Sequence, residues 1–235
     1  MQQDPFYQPS LSITRQNALV RAVYNWMMIG LLISAVTAYF SSHSAFILNL
    51  VFGNSFVLIL LIIGELGMVY AISGGIRSMS ASTASTLFML FSFVNGLTLS
   101  SILLTYTYES ITTTFLVTAL TFGATSLYGY VTKTNLTSLG GILFMGLIGV
   151  IIASVVNIFV HSSALGWIIT YIGILVFVGL TAYDTQKIRR LGEQIGPADG
   201  ERYGRMAIIG ALMLYLDFIN LFLLLLRIFG GGRRS

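Results

Sequence analysis

The chain has 235 residues, 56% of them apolar and only 9% charged, whereas an average soluble domain has roughly 45–50% apolar and about 25% charged residues. Water is therefore excluded as the solvent for most of its surface. The net charge of +4 comes from basic residues gathered at the ends of long uncharged stretches, a membrane pattern rather than a nucleic-acid one, and the absence of cysteine excludes disulfides, thiolate metal sites and cysteine nucleophiles.

Residues 1–22 are polar and carry Asp4, Arg15 and Arg21. They lack the charged, apolar, small-residue order of a cleavable signal, so the first span is expected to remain in the mature protein. Uncharged or nearly uncharged stretches of about 18 residues or more suffice to cross a bilayer as helices, and seven follow. They cover 23–40, 56–73, 86–104, 112–130, 139–160, 165–183 and 206–229. Gly74-Gly75 breaks the second, and a Ser/Thr/Ala-rich approach offers a cap to the third. In the fifth, Gly149 and Ala153 have the small-xxx-small spacing that lets helices approach closely. His43 and His161 fall in short loops without any metal-ligand spacing. The only long polar segment between spans, 187–205, has mixed charge and is expected to be a solvated helix or loop. The organisation is one membrane domain over 23–229, a polar cytoplasmic segment over 1–22 and a short basic tail over 230–235.

Arg15, Arg21, Arg77, Lys133, Lys187, Arg189, Arg190, Arg202 and Arg205 collect on one face, and only Arg233 and Arg234 on the other. The amino terminus is expected to be cytoplasmic. Seven spans then put the tail outside, whereas a re-entrant last segment would return it to the cytoplasm.

An ionisable group inside the bilayer costs about 2.5–3.5 kcal/mol on insertion scales, so it is usually paired or functional. Four qualify here: Glu65 in the second span, Asp184 at the cytoplasmic end of the sixth, and Asp217 and Arg227 in the seventh. Asp184 and Asp217 lie on helices joined by one loop. If they meet, the pair shares one proton, and its deprotonated oxygens are hard ligands suited to calcium. The alternative is that Asp184 faces cytoplasmic water and Asp217 accepts hydrogen bonds within the bundle. Glu65 and Arg227 form a natural opposite-charge pair. The alternative there is an arginine that snorkels to the outer interface and a glutamate facing a water-filled cavity. Asn157 and Asn220 are expected to donate hydrogen bonds between helices.

The segments Gly179-Leu180-Thr181-Ala182-Tyr183-Asp184-Thr185-Gln186 and Ala211-Leu212-Met213-Leu214-Tyr215-Leu216-Asp217-Phe218-Ile219-Asn220-Leu221-Phe222 closely resemble the sixth and last helices of the transmembrane Bax inhibitor motif family. Leu224-Leu225-Leu226-Arg227-Ile228-Phe229-Gly230 extends the likeness, and Tyr24-Asn25-Trp26-Met27 with Gly96-Leu97-Thr98-Leu99-Ser100 resembles its bacterial branch. The resemblance implies an all-α fold in which the last of seven helices is central and wrapped by the other six. It implies a pH-sensitive calcium leak in the bacterial inner membrane, with Asp184 and Asp217 as proton sensor and transient calcium ligands. It also implies a gate ion pair between Glu65 and Arg227, and a sensor contact from an arginine ending the second helix. Ile76 stands where that arginine is expected, with Arg77 one residue on.

Other members of that family bind membrane-protein quality-control proteases, so a non-conducting regulator of such a protease is the alternative function. No resident cofactor and no nucleic-acid partner is expected; the partners are the bilayer, calcium and protons. Intramembrane aspartyl proteases also carry Tyr-Asp, as Tyr183-Asp184 does. Their second aspartate resembles Gly-x-Gly-Asp, whereas Tyr215-Leu216-Asp217 lacks the glycines, so no enzymatic activity is expected.

Overall fold

A computed structural model describes residues 9–231. Asp4 and the tail arginines Arg233 and Arg234 lie outside the described residues. An apolar segment in lipid must pair every backbone N–H and C=O internally, which a helix does. The described residues are accordingly helical throughout: α1 (Pro9–Ser42), α2 (Ala45–Phe52), α3 (Ser55–Gly75), α4 (Ala81–Thr105), α5 (Tyr108–Val131), α6 (Thr137–Val160), α7 (Ser163–Gln194) and α8 (Glu201–Phe229), with one 3-10 turn at Pro197–Asp199. All but the short α2 are long and apolar enough to cross a membrane.

The starts of the helices are set by local chemistry. Ser44, Asn54, Ser80, Thr107 and Ser162 each occupy an extended N-cap position and accept a hydrogen bond from a first-turn N–H; these bonds satisfy donors that the helix itself leaves free. The expected cap of the third span is therefore Ser80.

Two boundaries differ from the sequence expectation. α1 is continuous from Pro9, so residues 9–22 belong to the first helix rather than to a separate polar segment. Leu19 and Val23 are fully buried, and the Tyr203 hydroxyl donates to the Ala18 carbonyl at 2.9 Å. Similarly, α7 runs on to Gln194, and the polar segment after it is mostly helix. The chain reverses through Pro197–Asp199 and Gly200, whose φ of 52° suits glycine.

α8 is the most buried of the spans. It packs against α1, α3, α4, α5 and α7, whereas α6 packs chiefly against α7. The last helix is thus central, with α6 packed chiefly on α7 rather than on α8. Close backbone approaches join α5 to α7 at Gly129, whose added Cβ would meet the Ala182 carbonyl oxygen, and α1 to α4 at Gly96, whose added Cβ would lie 2.6 Å from Thr37 Cβ and 2.7 Å from the Ser34 carbonyl oxygen. In contrast, a Cβ on Gly149 would meet nothing within 4 Å, so the Gly149/Ala153 pattern packs no helix.

Candidate functional site

The inner helices diverge around a cavity of about 1140 Å³ bounded by α3, α4, α6, α7 and α8. Asp184, Asp217 and Glu65 all line it. α7 and α8 form an antiparallel pair because the turn between them is short, and their packing places Asp184 and Asp217 on the wall of the same cavity. Asp217 is only 4% exposed, and its Oδ2 is buried without a hydrogen-bond partner. Native proteins pair nearly all buried polar atoms, so an orphan carboxylate oxygen calls for a role. Asp184 lies at the end of the cavity where Lys187 stands. Asn220 also lines the wall.

Glu65 is held from α4. Asn95 Nδ2 donates to its Oε2 at 3.1 Å and Thr98 Oγ1 to its Oε1 at 3.0 Å. The Tyr215 hydroxyl in turn donates to Asn95 Oδ1 at 2.8 Å and lies 2.6 Å from Ser34 Oγ, which is 2.7 Å from the Ser92 carbonyl. A polar chain therefore runs from α1 through α8 and α4 to α3. Tyr215 is fully buried, with Phe88 and Phe91 edge-on to its ring at 5.9 and 5.4 Å. Tyr215→Phe keeps this packing but leaves Asn95 short of a donor, and is expected to lower stability by about 1 kcal/mol. Thermal unfolding of the purified protein checks this.

The expected Glu65–Arg227 ion pair is not formed. Arg227 is exposed; its guanidinium sits over the Trp167 ring, 5.9 Å from the centroid, and its Nη2 crowds the space beside Gly166. The reason is depth. Glu65 is level with Tyr215, and Arg227 follows Tyr215 by about 18 Å along α8 at 1.5 Å per residue, beyond the reach of its side chain. A double-mutant cycle of Glu65→Gln and Arg227→Gln is expected to give a coupling below about 0.5 kcal/mol in thermal stability, the value of independent sites. A larger coupling would contradict this assignment.

Arg77 does not reach the aspartates either. It follows α3 as an exposed residue whose carbonyl accepts a hydrogen bond from Arg205 Nη1 at 3.1 Å, while its neighbour Ile76 takes the buried position. Asn157 and Asn220 serve their own turns: Asn157 Oδ1 accepts from Ser162 N at 3.0 Å, and Asn220 Nδ2 donates to the Leu216 carbonyl at 2.7 Å. No group of three or more His, Cys, Asp or Glu able to hold a metal occurs among the described residues. Asp184 and Asp217 could supply only part of the six to eight oxygens calcium takes, which suits transient contact better than a resident ion.

The sequence reading passes over Asn95, Thr98 and Ser34. An amide inside an apolar span, as at Asn95, was the available signal.

Seven helices able to span a membrane, five of them bounding a carboxylate-lined cavity, define a polytopic membrane protein. Residues 16–234 match the family model described as "Inhibitor of apoptosis-promoting Bax1". The inner membrane protein YbhL of Escherichia coli strain K12 is 54% identical over 211 residues, 90% of each chain. An uncharacterized protein of Borreliella burgdorferi is 47% identical over 97% of this chain and 98% of its own. The membrane protein M6_Spy0327 of Streptococcus pyogenes serotype M6 is 40% identical over 71% of each. The chain belongs to the Bax inhibitor family.

Proposed function

We propose that this protein is a cation leak of the bacterial inner membrane that passes calcium down its gradient and is gated by a proton shared between Asp184 and Asp217. The observation that carries the reading is Asp217 Oδ2, buried without a hydrogen-bond partner on the wall of a cavity that also holds Asp184. A carboxylate inside a membrane is costly, and such residues mark ion and proton pathways. In the protonated form the pair has less negative charge and attracts a cation less. Deprotonation restores charge and oxygen ligands, so influx rises with pH. Glu65, Asn95, Thr98 and Asn220 extend the polar wall beyond Asp217. The basic residues of the cytoplasmic loops support a cytoplasmic amino terminus, and the name of the E. coli relative supports the inner membrane. The reading needs no enzymatic step and no resident cofactor.

Calcium uptake into calcium-free liposomes that contain only this protein and an internal dye tests the proposal. The expected result is uptake at pH 8 well above that at pH 6. Folded protein that admits no more calcium than empty liposomes at either pH would overturn the leak and favour a regulator that acts on a membrane protease.

A further inference from the structure

The cavity has an apolar side that cation passage does not use. Along α6 its wall runs from Gly140 through Phe144, Leu147 and Ile151 to Ile158. That is about 27 Å at 1.5 Å per residue, close to the roughly 30 Å thickness of a bilayer's hydrocarbon core. Across from it α3 contributes Ile62, Leu66 and Val69. The main packing of α3 is with α4 and that of α6 with α7, so the space between α3 and α6 is not closed by packing of one on the other. Ile62, Leu66, Phe144, Ile151 and Ile158 are all exposed. The cavity is therefore a groove whose mouth faces lipid hydrocarbon, which fills an apolar void there in place of water.

At the cytoplasmic end the groove changes character. Lys187 lines it, and also lines an adjoining pocket of about 180 Å³ with Arg190, Thr137, Tyr183 and Gln194. Arg190 Nη1 donates to Thr137 Oγ1 at 2.9 Å, and Lys187 Nζ stands 5.8 Å from the centre of the Tyr183 ring. These contacts hold two cations one helical turn apart, on the same side of α7, at the end of the apolar groove. Asp184 is the acidic residue on the groove wall near Lys187.

We propose that the groove binds one anionic diacyl phospholipid, with an acyl chain lying along α6 and the phosphate held by Lys187 and Arg190. Basic pockets between transmembrane helices on the cytoplasmic side suit acidic head groups, whereas the choline or ethanolamine of a zwitterionic lipid adds a positive charge beside Lys187 and Arg190. The site does not depend on conduction. Only one consequence rests on the cation reading: a lipid in the groove covers the wall that carries Asp217, so the lipid-filled form is closed.

Native mass spectrometry of the full chain, offered equal amounts of phosphatidylglycerol and phosphatidylcholine, tests the site without reference to ion flux. Wild type is expected to retain phosphatidylglycerol at least about tenfold over phosphatidylcholine, equivalent to about 1.4 kcal/mol. Lys187→Ala combined with Arg190→Ala should bring that preference close to one. Ser154→Trp, which fills the groove from α6 while keeping both cations, should lower retention of either lipid. Equal retention of the two lipids by wild type would overturn the proposal, as would a preference that survives the double change or unchanged retention in folded Ser154→Trp. Displacement by soluble glycerol phosphate would overturn the acyl-chain half, because a phosphate site alone would then account for binding.

Discussion

Asp217→Asn is expected to cut calcium uptake at pH 8 by at least about tenfold and to remove most of its rise between pH 6 and pH 8. The asparagine keeps the shape of the side chain and deletes the charge that a cation would meet on the cavity wall. Two unit charges 4 Å apart are worth about 4 kcal/mol at an effective dielectric constant of 20, and 1.4 kcal/mol is already tenfold. The sign follows from protonation. Under the proposed gate, wild type at pH 6 holds the shared proton and resembles the variant, while wild type at pH 8 has lost it and does not. The deficit should therefore widen as pH rises. A deficit of the same fold at both pH values would separate Asp217 from the proton response and leave it a structural residue.

Gly96→Val is expected to be strongly damaging, costing about 1–3 kcal/mol or more. Any Cβ at this position meets Thr37 Cβ at 2.6 Å and the Ser34 carbonyl oxygen at 2.7 Å. The second contact is with backbone, which cannot rotate aside. Separation of α1 from α4 would also disturb Ser34, and with it the chain of hydrogen bonds through Tyr215 and Asn95 to Glu65. Gly149→Ala provides the contrast, since its Cβ would stand in open space and alanine is the better helix former by up to about 1 kcal/mol. Thermal unfolding of the two variants should move in opposite directions. Equal shifts would contradict the packing described for α1 and α4.

The spans were legible in the sequence because lipid imposes a severe rule: a crossing segment is long, apolar and nearly free of charge. Their ends were less so. α1 and α7 continue past the apolar runs as ordinary amphipathic helix, and no change of hydropathy announces that Leu19 or Ile188 is buried. Asp184, Asp217 and Glu65 stood out for the same reason as the spans, since each is a rare charge in an apolar setting. The pairing of Glu65 with Arg227 rested on charge complementarity and the family resemblance, and the sequence could place Arg227 nearer one face but not say how far. Whether two residues on different helices are level depends on where each helix starts and how it is tilted, and a list of spans carries neither. The true partners of Glu65, Asn95 and Thr98, are neutral and sit one turn apart on α4, a pattern that charge counting overlooks. The packing of α6 chiefly on α7 was equally hidden, because lipid-facing and protein-facing positions are both apolar.

Because the chain has no cysteine, one introduced thiol reports on one place. Asn220 lines the cavity and its amide bonds only its own helix, so Asn220→Cys should fold as wild type does. In liposomes, a bulky cationic thiol reagent is expected to label that cysteine and stop calcium uptake, with calcium slowing the labelling. Complete labelling that leaves uptake unchanged would show that cations, if they cross, do not pass through this cavity.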